Sequence, residues 1–170
     1  VVPYLEVPEG DDPVAHRSLA VGRMLGFDLL RTSAWHPGLL VAAAVRAGVP
    51  AVEAEIGGLG IGTPAGQELY RATLGNLLRG LGLLPGRPAP APGVRIVRHV
   101  QVRADAGGLL VPDVELRQEI RAGDRLGAIV DPFGEPVAEV VAPIAGLVAA
   151  RRRANALHPG DVAFTLFVPV

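Results

Sequence analysis

Glu53 and Glu55 close the segment Gly48-Val49-Pro50-Ala51-Val52-Glu53-Ala54-Glu55-Ile56, and Gly57, Gly58 and Gly60 follow at once. A carboxylate held within reach of a reacting group can accept a proton and return it. Glycines directly after it let the backbone come close to a ligand, because no Cβ stands in the way. Open α/β sheets bind their ligands at the carboxyl ends of strands, which is where this carboxylate-glycine junction falls. Alternation along a strand puts Glu53 and Glu55 on the same face, about 7 Å apart. One of them can therefore do proton chemistry while the other is an exposed neighbour. Position favours Glu55, which adjoins the glycines, with Gly57 and Gly58 as the backbone that approaches a ligand. The same spacing equally describes two solvent-facing glutamates on an edge strand, since E-x-G-G is a short motif.

Other chemistries are removed by composition. The chain has no cysteine, and all 16 of its basic residues are arginine. Disulfides, thiolate metal sites and cysteine nucleophiles are excluded, as are Schiff bases and lysine-borne cofactors. His16, His36, His99 and His158 are followed three residues later by Leu19, Leu39, Val102 and Asp161, so no H-x-x-E metal pair exists. His158-Pro159-Gly160-Asp161 is an H-x-x-D, but its Pro-Gly centre fits a turn. No metal ligand is therefore assigned within the chain. Net charge is −1, with only Arg151-Arg152-Arg153 clustered, which is no footprint for nucleic acid. The longest apolar stretch, Leu39 to Val45, stops at Arg46, far short of the roughly 18 residues a membrane span needs. Neither nucleic acid nor membrane is an expected partner.

The elements that must position Glu55 can be read from punctuation. Pro13 to Gly26 predicts a helix, with proline early and glycine as the stop, and a short element at Leu29-Leu30 follows. Pro37 to Gly48 repeats that grammar, and Pro50 to Ile56 then predicts a strand. Thr63 as N-cap and Pro64 in the first turn start a third helix, whose apolar face is expected to be Tyr70, Leu74, Leu77, Leu78 and Leu81. This half is α/β in character. Pro85 to Gly93 holds four prolines, each without a donor N–H, and reads as a semi-rigid linker.

Beyond the linker the pattern changes to short β-rich runs, Val94 to Val102, Arg125 to Val130 and Ala138 to Val141, separated by turn residues. Ile120-Arg121-Ala122-Gly123-Asp124 recurs as Leu157-His158-Pro159-Gly160-Asp161, each copy an apolar residue, a Gly-Asp turn and a strand. Two such copies around a hairpin predict a small barrel-like sandwich with pseudo-twofold symmetry. The hairpin around Asp131-Pro132-Phe133-Gly134 resembles the attachment hairpin of biotinyl and lipoyl domains. Those domains carry a modified lysine at the tip, and none is present here. The domain expectation is thus an α/β part over 1–84, a linker over 85–93, and an all-β barrel-sandwich domain over 94–170.

Taken in order, the Gly48-Val49-Pro50-Ala51…Glu55-Ile56-Gly57-Gly58 segment, the helix end Leu77-Leu78-Arg79-Gly80-Leu81-Gly82, the proline-rich linker, Gly107-Gly108-Leu109, Ala122-Gly123-Asp124, Asp131 to Glu135 and Ala142-Pro143-Ile144-Ala145-Gly146 resemble the succinylglutamate desuccinylase/aspartoacylase family. The resemblance runs nearly end to end. It implies that the α/β part is the C-terminal half of a zinc carboxypeptidase-like domain, and that the intact protein hydrolyses the amide of a small N-acylated amino acid. In that pattern Glu55 is the general base and acid. Zn2+ is implied as the cofactor, with its ligands upstream of Val1. The resemblance implies a substrate-binding arginine in the helix before the glutamate strand. Arg46 is only a neighbour in register to it, and at a helix C-terminus it equally suits the dipole. A cytoplasmic location and a homo-oligomer are further expectations, and the chain alone is expected to be inactive. The alternative is a non-catalytic binding or assembly module built on the biotinyl-like barrel, with Glu55 a surface carboxylate.

Overall fold

The computed structural model of the chain describes residues 1–58 and 60–170 and separates into two units, Pro3–Arg98 on one side and Val1–Val2 with His99–Val170 on the other. The first unit runs β1 (Tyr4–Pro8), α1 (Pro13–Met24), β2 (Leu29–Ser33), α2 (Leu40–Arg46), β3 (Glu53–Glu55) and α3 (Pro64–Gly80), and ends in the first residues of β4 (Arg95–Arg103). Its strands lie in the order β3-β1-β2-β4. β1 and β2 are parallel, with Leu5 opposite Leu30 and Glu6 opposite Arg31. β3 is antiparallel to β1 and sets Glu53 opposite Glu6 and Glu55 opposite Tyr4.

Strand alternation gives this sheet two chemically different faces. Leu5, Val7 and Leu30 are at most 1 % exposed and pack with Leu25 and Phe27. Leu19 and Met24 of α1 and Leu69 and Leu77 of α3 cover them. Tyr4, Glu6, Arg31, Glu53 and Glu55 share the opposite face.

Each helix begins where the sequence supplies a cap or a proline, and the one exception is informative. Asp12 caps α1 and Thr63 caps α3, both followed by proline. The helix expected from Pro37 starts only at Leu40, because the His36 Nδ1 accepts the Gly38 N–H at 3.2 Å and folds 36–39 into a turn. The face of α3 also differs from the expected one. Leu77 packs inward, but Tyr70, Leu74, Leu78 and Leu81 are 36 to 59 % exposed, while Thr73 and Asn76 are buried. The cause is polar. The Asn76 amide accepts the Ala89 N–H at 2.9 Å and donates to the Ala89 carbonyl at 3.0 Å, so the proline-rich segment is clamped to the helix and turns that side inward.

The second unit is built from strands: the remainder of β4, then β5 (Gly108–Pro112), β6 (Glu119–Ile120), β7 (Arg125–Val130), β8 (Pro136–Val141), β9 (Gly146–Arg151), β10 (Ala156–Leu157) and β11 (Val162–Pro169). They form two sheets, β4-β11-β9-β6 and β10-β5-β7-β8. Leu110, Leu126 and Ile129 of one sheet and Val148, Phe164 and Leu166 of the other, each at most 1 % exposed, belong to one core. Among the described residues the strands close no barrel.

The internal repeat is realised in matching turns. Asp124 accepts the Arg121 N–H at 2.7 Å, and Asp161 accepts the His158 N–H at 2.9 Å. Gly123 and Gly160 take φ of 86° and 87°, a conformation that only glycine adopts without strain. Each turn follows a two-residue strand and leads into a long one.

Candidate functional site

β3 is only three residues long, and the chain leaves it through Ile56 and Gly57, the latter at φ 83°. It returns through Thr63 into α3. The Thr63 hydroxyl accepts the Gly66 N–H at 3.1 Å and caps the first turn of α3, which comes close to Ile56 just after the strand. Gly66 permits that approach, since a Cβ there would meet the Thr63 hydroxyl at 3.1 Å and the Ile56 side chain at 3.3 Å. Between these parts lies an open cleft of about 450 Å³, lined by Glu55, Gly57, Gly58, Thr63, Gln67 and Tyr70 among others. Leu59 of the glycine motif lies outside the described residues.

The structure therefore brings Glu55, Gly57 and Gly58 together at one cleft. Arg46 is not among its lining residues. Its guanidinium donates to the Pro37 carbonyl at 3.0 Å from the last turn of α2, where a cation also complements the helix dipole. Of the arginine triplet, Arg151 lies 3.6 Å from Glu115 and Arg152 lies 3.2 Å from Asp161. The Asp161 carboxyl is held below the usual range, first by the His158 N–H and also by Arg152, which fits the turn reading of His158-Pro159-Gly160-Asp161.

Beside the cleft, on the same sheet face as Glu55, sits a network that composition and motif spacing did not single out. Glu6 Oε2 accepts from Arg31 at 2.9 Å and from the Trp35 indole at 3.1 Å, and Glu6 Oε1 accepts from the Tyr4 hydroxyl at 3.3 Å. Arg31 also donates to the Ser33 hydroxyl at 3.0 Å and lies 5.7 Å from the Tyr4 ring centroid. The two charged side chains are 10 % and 16 % exposed. Breaking such a desolvated pair by removing one partner costs on the order of 3–5 kcal/mol. Burial, followed by the Glu6 charge, pushes the Tyr4 phenol well above its ordinary value. Burial also pushes the Glu53 carboxyl up, helped by Glu6 and Glu55 and opposed by Arg31. The sequence signal was present but faint: one charged residue follows a leucine inside each of two short strands, Leu5-Glu6-Val7 and Leu30-Arg31-Thr32.

Among the described residues no group of three His, Cys, Asp or Glu side chains could hold a metal ion. His16 faces Asp11 at 3.2 Å and His36 serves its own turn. The side chains present do not by themselves fit a zinc ion. No helix is long and apolar enough to cross a membrane among those residues.

No family model matches the sequence, and no curated protein matches it significantly. Solved structures do match the fold. A succinylglutamate desuccinylase/aspartoacylase from Rhodobacter sphaeroides superposes with a TM-score of 0.87 at 21 % identity, over 99 % of this chain and 54 % of its own. The apo form of the ectoine utilization protein EutE (DoeB) from Ruegeria pomeroyi does so with a TM-score of 0.88 at 22 % identity, over 98 % and 55 %. An aspartoacylase family protein from Mesorhizobium loti gives 0.78 at 20 % identity, over 99 % and 52 %. The likeness is one of fold, and the chain spans about half the length of these neighbours.

Proposed function

We propose that the chain is the C-terminal portion of a zinc-dependent deacylase of the succinylglutamate desuccinylase/aspartoacylase family, acting in the cytoplasm on the amide of a small N-acylated amino acid. The observation that carries this reading is the placement of Glu55 at the end of an edge strand, facing a cleft walled by glycines and the first turn of α3. Near end-to-end likeness in fold to proteins named for that activity supports it.

In this reading a carboxylate oxygen of Glu55 takes the proton of the attacking water and delivers it to the nitrogen of the leaving amine. The backbone at Gly57 and Gly58, with no Cβ in the way, gives the acyl portion room to lie against the strand end. Zinc belongs to the reading only as a group held by residues outside these 170. The step assigned to Glu55 does not run through it. The β unit, two sheets around one core, supports the further reading of a barrel-sandwich domain over 94–170, preceded by the 85–93 linker and the 1–84 part of the catalytic domain.

The test is hydrolysis. The complete protein, offered a panel of N-acyl amino acids, is expected to release free amine, while the 170-residue chain alone releases none. A complete protein that cleaves no member of the panel would overturn the proposal in favour of a binding or assembly module.

A further inference from the structure

The start of α3 turns one face toward the strand end instead of toward the core. Thr63, Gly66, Gln67 and Tyr70 follow helical spacing, and all four line the cleft. Gln67 Nε2 comes within 3.4 Å of the place a Gly62 Cβ would take, so the amide lies against the glycine loop where that loop has no side chain. Among the described residues neither the Gln67 amide nor the Tyr70 hydroxyl has a hydrogen-bond partner. Ile61 and Tyr70 leave 63 % and 54 % of their surface to water. An apolar wall with a few convergent polar groups is the usual make-up of a small-molecule site.

The charges around this wall favour one kind of occupant. Among the described residues no arginine or histidine lines the cleft, and its one carboxyl is that of Glu55. Helix starts hold anions through backbone donors left free, but here Pro64 has no N–H. The Gly66 N–H goes to the Thr63 hydroxyl and the Gln67 N–H to the Thr63 carbonyl, at 3.1 and 2.9 Å. Arg71, next along α3, is paired with Glu68 at 2.9 Å. A hydrocarbon chain gains by leaving water against Ile61 and Tyr70. A carboxylate in the same place gives up its hydration with no cation to replace it.

We propose that this cleft takes an uncharged, short acyl chain. Ile61 and Tyr70 lie against its carbons, and the neutral Gln67 amide stands where a second carboxylate would need a cation. Gln67 and Tyr70 are then specificity-determining residues. The inference rests on the deacylase reading for the bound group being an acyl chain, and on the cleft alone for that group being uncharged.

The experiment compares N-butanoyl and N-succinyl derivatives of one amino acid, which differ only at the far end of the acyl chain, by kcat/KM on the complete protein. The butanoyl compound is expected to be favoured by at least ~10-fold, the low end of discrimination by pocket contacts. Gln67→Arg adds a cation and should shift the ratio toward succinyl, whereas Tyr70→Ala should lower kcat/KM for the butanoyl compound more than for the succinyl one. A succinyl preference, or a ratio that Gln67→Arg leaves unmoved, would overturn the proposal. A second arm needs no turnover: the nitrogen-15-labelled 170-residue chain is titrated with butyramide and with succinamate. Butyramide is expected to move the Gln67 side-chain amide signal saturably and succinamate to move it less at equal concentration, with the order reversed in Gln67→Arg. No response to butyramide, or a stronger one to succinamate, also overturns the proposal. A complete protein that hydrolyses no N-acyl amino acid sinks the deacylase reading and leaves the cleft to be decided by the titration. One that hydrolyses the succinyl compound better sinks the inference and leaves the deacylase reading standing.

Discussion

Asp12 shows what a single side chain contributes and how pH controls it. Its carboxylate accepts the Val14 and Ala15 N–H groups at 2.8 and 3.0 Å, donors at the start of α1 that have no partner within the helix. Those bonds, the Ala15 one first, hold its carboxyl below the ordinary value. A carboxyl depressed in the folded state adds stability above its unfolded value, near 3.9, and loses it as pH falls through the folded value. Asp12→Ala should therefore lower the thermal midpoint near neutral pH, and the gap from the unmutated chain should close in strong acid. A gap of equal size at both ends of the pH range would contradict this. At this scale the meeting of Glu55, Gly57 and Gly58 at one cleft was legible, because a motif lies along the chain. Glu6 and Arg31 were not. Their pairing spans 25 residues and exists only once β1 and β2 have taken their register.

At the scale of elements, backbone proximity sets the sharpest limits. Gly127 of β7 lies so close to β5 that a Cβ there would stand 2.5 Å from the Val111 carbonyl oxygen and 3.0 Å from the Pro112 Cα. Neither is a flexible side chain that can swing away. Gly127→Ala should cost about 1–3 kcal/mol through strand displacement. At Gly107 a Cβ would make only ordinary contacts, the nearest at 3.4 Å, so Gly107→Ala is the control. Denaturant unfolding compares them, and an unchanged midpoint for Gly127→Ala would count against the strand spacing described. The turns were legible here because Gly-Asp chemistry is local, and both copies of the repeat fold as the sequence implied. The inward face of α3 was not. Helical periodicity grouped Tyr70, Leu74, Leu78 and Leu81 with Leu77, but the Asn76 clamp on Ala89 decides which side turns inward, and an asparagine carries no apolar signal.

At the scale of the whole molecule, the 170 residues match about half the length of their structural neighbours, and the proposed chemistry needs a metal-ligand group that is not found among the described residues. Glu55 is the residue of this chain to which the proposal assigns a step of that chemistry. A positioned proton shuttle is worth ~10²–10⁴-fold in rate, about 3–5 kcal/mol at 1.4 kcal/mol per factor of ten, whereas an exposed surface carboxylate is worth almost nothing. Glu68 on α3, about 70 % exposed and paired with Arg71 at 2.9 Å, supplies the comparison. The decisive measurement is kcat of the complete protein carrying Glu55→Gln, beside Glu68→Gln, on whichever N-acyl amino acid it hydrolyses. The account predicts a loss of ~10²–10⁴-fold for Glu55→Gln with the fold intact, and unmutated turnover for Glu68→Gln. A Glu55→Gln protein that turns over within a few-fold of the unmutated one would contradict it.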